Sequence, residues 1–347
     1  MPSKLETLLS SFPRLSVALL PTPLHPLPHL QAALGPNAPR LFIKRDDLTG
    51  LALGGNKARK LDYLFADARE QGADTLLTCG AAQSNHALQT AAAAHKFGFA
   101  VRCILDGPAP VSEATVNGNL LLHAWLQTPI RWAERLPEET RREQARRRTQ
   151  AEEFESVRAA GRIPYSIPTG GSTPIGALGY VRAMQEAKAR LDALGIDKVA
   201  AIYFASGSGG THAGMTVGAA LLNWQTQIVG VEVDPIPNDA DGISPFHRAV
   251  LNLTNETADL LGLPTRFQGE DIELCPDYAG TAYGIPTKEG QEAIRLLART
   301  EGIFCDPVYS GKALSALLGG IRQGHFRSDD TVLFWHTGGV AGLFAEH

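Results

Sequence analysis

Three observations predict an α/β fold with parallel sheets for this 347-residue chain. Short β-rich runs alternate with helical patterns of ten or more residues, and two of the runs lead through a polar or glycine-rich turn straight into a helix. The length corresponds to two domains at roughly 150 residues each, or to one large unit with an insertion. Alternation of this kind implies right-handed βαβ units with ligand sites at the carboxyl ends of the strands.

Taken in order, Leu41-Phe42-Ile43 reads as a strand, and residues 57–68 as a helix with Asn56 as N-cap and Leu61, Leu64, Phe65 and Ala68 on its apolar face. Thr75-Leu76-Leu77-Thr78 is the next strand, residues 87–97 an alanine-rich helix, and Val101-Arg102-Cys103-Ile104-Leu105 a further strand. Half of residues 131–162 are charged, and Glu138/Arg142 and Glu143/Arg147 have i,i+4 spacing, so this stretch reads as a solvated helix. Ile163-Pro164-Tyr165-Ser166-Ile167-Pro168 and the following Thr169-Gly170-Gly171-Ser172 turn suit a crossing between domains. Residues 199–205, 228–233 and Val332-Leu333-Phe334-Trp335 complete the strands.

Composition narrows the function. The chain is 44% hydrophobic and 20% charged, with 35 Gly and 22 Pro, which is ordinary for a compact protein. Thirty-two Lys and Arg against 36 Asp and Glu leave a net charge of -4, which argues against nucleic acid or anionic membrane as partner and for small molecules. Four cysteines without CxxC or Cys/His ligand spacing suggest a reducing compartment and no metal site. No secretory leader or membrane-spanning stretch is read, so the expected location is cytoplasmic.

Three turns carry chemistry. Gly54-Gly55-Asn56-Lys57-Ala58-Arg59-Lys60-Leu61 opens a helix with three cations in its first turn, against the preference of a helix N-terminus for acids. The dipole there would lower the pKa of a lysine and favour a carbonyl-condensing amine, although taken alone the three cations read as solvated surface. Gly80-Ala81-Ala82-Gln83-Ser84-Asn85-His86 links a strand to a helix, where N–H groups with the Ser and Asn side chains suit a carboxylate; Ser84 or Asn85 as a simple cap fits equally. Ser206-Gly207-Ser208-Gly209-Gly210-Thr211-His212 offers a cup for one phosphate, the other reading being a purely structural turn. His212 stands where a dinucleotide fingerprint needs Gly, and no GK[ST] ends the loop. Near the C-terminus Tyr278, Tyr283, Tyr309 and Ser310 lie in loop-like surroundings, and His336 reads as a structural histidine.

A reactive lysine, a carboxylate turn and a monophosphate cup together suggest pyridoxal phosphate. Seven blocks then carry a resemblance: Ile43-Lys44-Arg45-Asp46-Asp47, residues 54–61, Gln83-Ser84-Asn85-His86, residues 206–214, Tyr283-Gly284-Ile285-Pro286, Asp306-Pro307-Val308-Tyr309-Ser310-Gly311-Lys312 and His336-Thr337-Gly338-Gly339. In this order, over residues 12–344, the chain resembles the D-cysteine desulfhydrase and 1-aminocyclopropane-1-carboxylate (ACC) deaminase family of tryptophan-synthase-β-like, fold-type II enzymes. The resemblance implies a larger cofactor-binding domain of residues 1–52 and 165–347, a smaller α/β domain of residues 53–164, each with an open, mostly parallel sheet, and a homodimer.

It further implies that Lys57 carries the cofactor, that Asn85 bonds its 3′-oxygen, and that Ser206, Gly207, Ser208, Gly209, Gly210 and Thr211 hold its phosphate. Tyr309 resembles the ring stacked near the cofactor, and Ser310 and Thr337 belong to the cofactor shell. Ser84 and Tyr283 are the expected catalytic partners of Lys57, and Ser84, Asn85, His86 and Tyr283 the expected substrate contacts. Ser310, Thr337 and His86 stand where ACC deaminases carry Glu, Leu and Gln, which favours the desulfhydrase branch. The expected activity is α,β-elimination of D-cysteine to pyruvate, hydrogen sulfide and ammonia. L-cysteate sulfo-lyase is the alternative, followed by ACC deaminase, a catalytically silent binding protein on the same fold, and a nicotinamide oxidoreductase that His212 disfavours.

Overall fold

The structure, a computed structural model, describes residues 4–107, 109, 116–134, 136 and 139–345. Among these, the strands in chain order are β1 (Leu24–Pro26), β2 (Arg40–Arg45), β3 (Thr75–Ala81), β4 (Ala100–Asp106), β5 (Ile130–Trp132), β6 (Pro164–Ile167), β7 (Ala201–Ser206), β8 (Gln227–Glu232), β9 (Glu273–Cys275) and β10 (Thr331–His336). The helices are α1 (Lys4–Leu9), α2 (Pro28–Leu34), α3 (Lys57–Glu70), α4 (Asn85–Phe97), α5 (Gly118–Trp125), α6 (Glu139–Ala159), α7 (Pro174–Ala193), α8 (Gly210–Leu221), α9 (Pro245–Leu260), α10 (Lys288–Glu301) and α11 (Ser310–Arg322). They build two sheets, one of six strands in the order β1-β2-β10-β7-β8-β9 and one of four in the order β5-β4-β3-β6. Every pairing is parallel except β1 with β2. The expected α/β class with parallel-dominated sheets is therefore what the chain adopts.

Each sheet is covered on both faces, which is why its central strands are continuous apolar runs. Ile43, Tyr203, Val231 and Phe334 pack against α2, α10 and α11, while Phe42, Ile202, Phe204 and Trp335 pack against α7 and α8. In the smaller sheet Leu76, Val101 and Cys103 meet α3 and α4, and Leu77, Cys79 and Ile104 meet Val157 of α6.

All six strands read from the sequence are present, and β1, β5, β6 and β9 were not foreseen. Each of these four is three or four residues long and lies at or next to a sheet edge. The Pro-flanked stretch expected to cross between domains forms β6, with Pro164 opening an edge strand that pairs with β3. Residues 165–167 thus belong to the smaller sheet. The charged stretch is helical from Glu139, and its Glu143–Arg147 ion pair forms at 2.9 Å; Glu138 lies outside the described residues.

Among the described residues no helix is long and apolar enough to cross a membrane. The four cysteines are free thiols.

Candidate active site

Close packing brings the first turn of α3 into the interior. A Cβ on Gly179 of α7 would lie 2.3 Å from the Arg59 carbonyl oxygen, so only a glycine lets the two helices approach this far. The three cations diverge from this turn. Arg59 is 1% exposed and forms a fork with the buried Asp46 carboxylate, Nε and Nη2 each at 2.8 Å, with Nη1 at 3.0 Å from Glu186. Lys60 is equally buried and donates to the Gly170 carbonyl at 3.0 Å. Lys57 is half-buried and donates to Asn56 Oδ1 at 2.8 Å. Solvated surface is thus the wrong reading of these cations, because helix packing that no local pattern reveals covers them.

Burial lowers the Lys57 amine to about 8, against the pull of the Asp306 carboxylate. Burial and the neighbouring Lys57 charge hold Lys60 well below the ordinary lysine range. Asn56 makes no side-chain cap; its Nδ2 donates to Thr211 Oγ1 at 3.0 Å and its backbone N–H to the Thr337 carbonyl at 2.8 Å. It ties the lysine to both neighbouring loops.

At the carboxyl end of β3, Ser84 both caps α4, accepting from Ala87 N–H at 3.2 Å, and faces the cavity. Asn85 follows, its Oδ1 accepting from Asn119 Nδ2 at 2.8 Å. His86 sits in the wall, 3% exposed, with Nε2 at 2.8 Å from Thr78 Oγ1. Burial first, then the Lys57 and Lys60 charges, depress its pKa well below 6.5, so this imidazole is neutral.

The β7–α8 turn has Gly209 at the N-cap with φ 82°, and the first N–H groups of α8 follow it. Ser172 Oγ donates to Ser208 Oγ at 2.9 Å and accepts from Gly210 N–H at 3.1 Å. A Cβ on Gly210 would come within 2.9 Å of both Ser172 Oγ and Lys60 Nζ. The Gly170-Gly171-Ser172 turn therefore buttresses this loop, and Thr173 starts α7 as its N-cap. Ser206 Oγ is turned to His212 Nδ1 at 3.4 Å.

From the C-terminal side Tyr283 and Tyr309 enter the cavity with their hydroxyls hydrogen-bonded and ring centroids 6.1 Å apart at 69°. Tyr309 is set by Asp306, whose carboxylate accepts from the N–H groups of Val308, Tyr309 and Ser310 at 2.8–2.9 Å and from Ser310 Oγ at 2.5 Å. Ser310 is fully buried, its hydroxyl engaged by Asp306, and it is not part of the cavity lining. Thr337 does line it. His336 is buried with backbone partners, the Phe304 carbonyl at 2.8 Å from Nε2 and Gly338 N–H at 3.2 Å from Nδ1.

One cavity of about 770 Å³ thus joins Lys57, Ser84, Asn85, Tyr283 and Tyr309 to the glycine loop. The charged helix α6 also contributes to it, contrary to its reading as merely solvated. Arg146 is 4% exposed and bonds Asp106 at 2.6 Å and Glu143 at 2.7 Å, and Glu143 accepts from Thr169 Oγ1 at 3.1 Å. Sequence reasoning assigned no role to Asp306, Asn119, Glu143 or Arg146. Asp306 lay inside a recognised block, but nothing local distinguished the other three.

This donor set fits pyridoxal phosphate. It offers an amine of lowered pKa for the aldehyde, a helix N-terminus in a glycine loop packed so closely that a Cβ on Gly207 or Gly210 would press on its neighbours, and a tyrosine pair lining the same cavity.

A family model described as pyridoxal-phosphate dependent enzyme matches residues 15–338, and the chain belongs to that family, in its fold-type II, tryptophan-synthase-β-like class. A crystal structure of an ACC deaminase homologue is 38% identical over 99% of this chain and 97% of its own, with a TM-score of 0.85. The resemblance carried by the seven blocks holds. An O-ureido-L-serine synthase (15% identity, 93% and 90% covered, TM-score 0.63) and a hydrogen sulfide-producing enzyme from Fusobacterium nucleatum (14%, 93% and 94%, 0.61) share the fold. Pyridoxal phosphate is the cofactor of this enzyme.

Proposed function

We propose that the chain is a carbon–sulfur lyase that converts D-cysteine and water to pyruvate, hydrogen sulfide and ammonia. The observation that carries this reading is that the Lys57 amine, the Ser84 hydroxyl and the Tyr283–Tyr309 hydroxyl pair line one cavity with the glycine loop. Likeness to the ACC deaminase homologue supports the family, and within it Ser310, Thr337 and His86 favour elimination over ring opening.

When bound, the cofactor supplies an electron sink for the bond broken at the substrate Cα. Residues 206–211 would hold its phosphate, Asn85 its phenolic oxygen, and Tyr309 would flank its ring. Lys57 would hold its aldehyde, and its Nζ is the group that would take the Cα proton, a task suited to an amine near pKa 8. Ser84, Asn85 and the first N–H groups of α4 bind the substrate carboxylate, in front of the neutral His86. Tyr283 hands its hydroxyl proton to the departing sulfur and is resupplied through Tyr309. Ser310, which donates to Asp306, offers no carboxylate of its own. Such a site demands a substrate that already bears a leaving group, as D-cysteine does.

L-cysteate is the second reading: Arg146 and Arg147 line the α6 wall, each ion-paired with Glu143, and a sulfonate would have to compete with that carboxylate for their charge. The same reading takes the molecule as a cytoplasmic homodimer of two-domain subunits, with β6 assigned to the smaller domain.

Purified protein loaded with pyridoxal phosphate should show the visible band of a lysine-linked cofactor and form pyruvate from D-cysteine. Pyruvate from L-cysteate or ACC instead would move the specificity, and a Lys57→Ala protein with an unchanged visible band would refute the lysine assignment.

A further inference from the structure

We infer that Asn119 is a positioning residue that fixes the orientation of the Asn85 carboxamide, so that this side chain offers the cavity a donor and not an acceptor. Asn119 lies in the first turn of α5, 1% exposed. Its Nδ2 makes two hydrogen bonds, to the Gln83 carbonyl and to Asn85 Oδ1, both at 2.8 Å. Its backbone N–H donates to Gln83 Oε1 at 2.7 Å, and Gln83 Nε2 returns to Asn117 Oδ1 at 3.0 Å. Gly118 has φ +52°, and a Cβ there would lie 2.6 Å from Gln83 Oε1, so a larger residue would push the Gln83 carboxamide out of the seam between α5 and the 83–86 turn.

With Oδ1 occupied by Asn119, the group Asn85 has left is Nδ2, and among the described residues none accepts from it. An amide held this way recognises an electron-rich oxygen, either the phenolic oxygen of the cofactor or a substrate carboxylate. Asn119 carries the mark of a residue kept for that task. Its own Oδ1 is buried without a partner among the described residues, so its side-chain hydrogen bonds are all made through Nδ2, on Asn85 and the turn that carries it. The inference rests on the reading of Asn85 as a ligand contact.

A double-mutant cycle tests it, using the full chain and two readouts: pyridoxal phosphate affinity of the apoprotein with the visible spectrum of the bound form, and KM against kcat for D-cysteine. Asn119→Asp is close to isosteric but presents only acceptors, so Asn85 must turn its Nδ2 inward and aim Oδ1 at the ligand oxygen. Asn85→Ala and Asn119→Asp should each weaken one of these affinities by roughly tenfold or more, the cofactor for the phenolic oxygen and the substrate for the carboxylate. The double variant should be no worse than Asn85→Ala alone, because Asn119 acts only through Asn85. Asn119→Ala, which merely frees the amide, should show a smaller loss with the same non-additivity and serves if the Asp variant does not fold.

Additive losses, or an Asn119 variant silent in both readouts while Asn85→Ala is not, would overturn the inference and leave the Asn85 contact standing. Silence of Asn85→Ala itself would remove that contact and this inference together.

Discussion

Lys57 combines proximity with a weakened hold on its proton. Burial lowers it to about 8, so about a tenth of the amine is neutral at pH 7, against roughly one in three thousand for an ordinary lysine. The neutral form is the one that attacks an aldehyde. The rate at which apoprotein takes up pyridoxal phosphate should therefore rise about tenfold per pH unit below pH 8 and level off above it; stopped-flow absorbance measures this, and a rate still climbing past pH 9 would contradict the lowered value. The sign is that of a base whose folded pKa is depressed: the protonated form is penalised by folding, so the apoprotein gains stability from this group as pH rises above about 8.

Lys57 drew notice because three cations at a helix N-terminus break a local rule, yet taken alone they read as solvated surface, and only the resemblance of its block singled it out. Asn119 drew no notice, since an asparagine at the start of an ordinary amphipathic helix breaks no such rule.

At the scale of elements, α3 brings Lys57 to the cavity, and its anchor is charged. Arg59, Asp46, Glu186 and Lys44 form a buried cluster completed by Thr22, Tyr180 and Trp335, the last two donating to Asp46 Oδ2 at 2.6 and 2.8 Å. It binds α3 to β2, α7 and β10 two residues beyond the lysine. The Arg59 guanidinium holds Asp46 far below the usual carboxylate range despite complete burial. Arg59→Met removes the fork and leaves the carboxylate uncompensated, so urea unfolding should show a loss of about 3–5 kcal/mol. A loss within experimental error would mean that Tyr180, Trp335 and Lys44 suffice.

The helices and central strands were readable because apolar periodicity reflects burial on a face. The strands β1, β5, β6 and β9 were not, because three or four residues at an edge carry too little pattern, and Pro164 disguised β6 as a linker.

For the whole molecule, loops from both sheets close on one cavity: α3 and the 83–86 turn with the smaller, the glycine loop and Tyr309 with the larger. A ligand bound there selects the folded state of both. Pyridoxal phosphate at a hundred times its dissociation constant should raise stability by about 2.7 kcal/mol, seen as a higher Tm. Lys57→Ala should retain only the smaller shift due to phosphate binding. An unchanged Tm for the parent protein would count against the cavity as the cofactor site.

By itself the sequence determined the α/β class, because strand periodicity and glycine turns are local properties, and its seven blocks carried the resemblance to the family. Only the tertiary structure decided which side chains meet. It sent Arg59 and Lys60 away from the cavity and Lys57 into it, withdrew Ser310 behind Asp306, and brought Asn119 onto Asn85 and α6 to the cavity wall. The burial of Arg59 and Lys60 depends on how helices pack across more than a hundred residues of chain, through contacts such as Gly179 against Arg59, and contacts of that range leave no periodic trace.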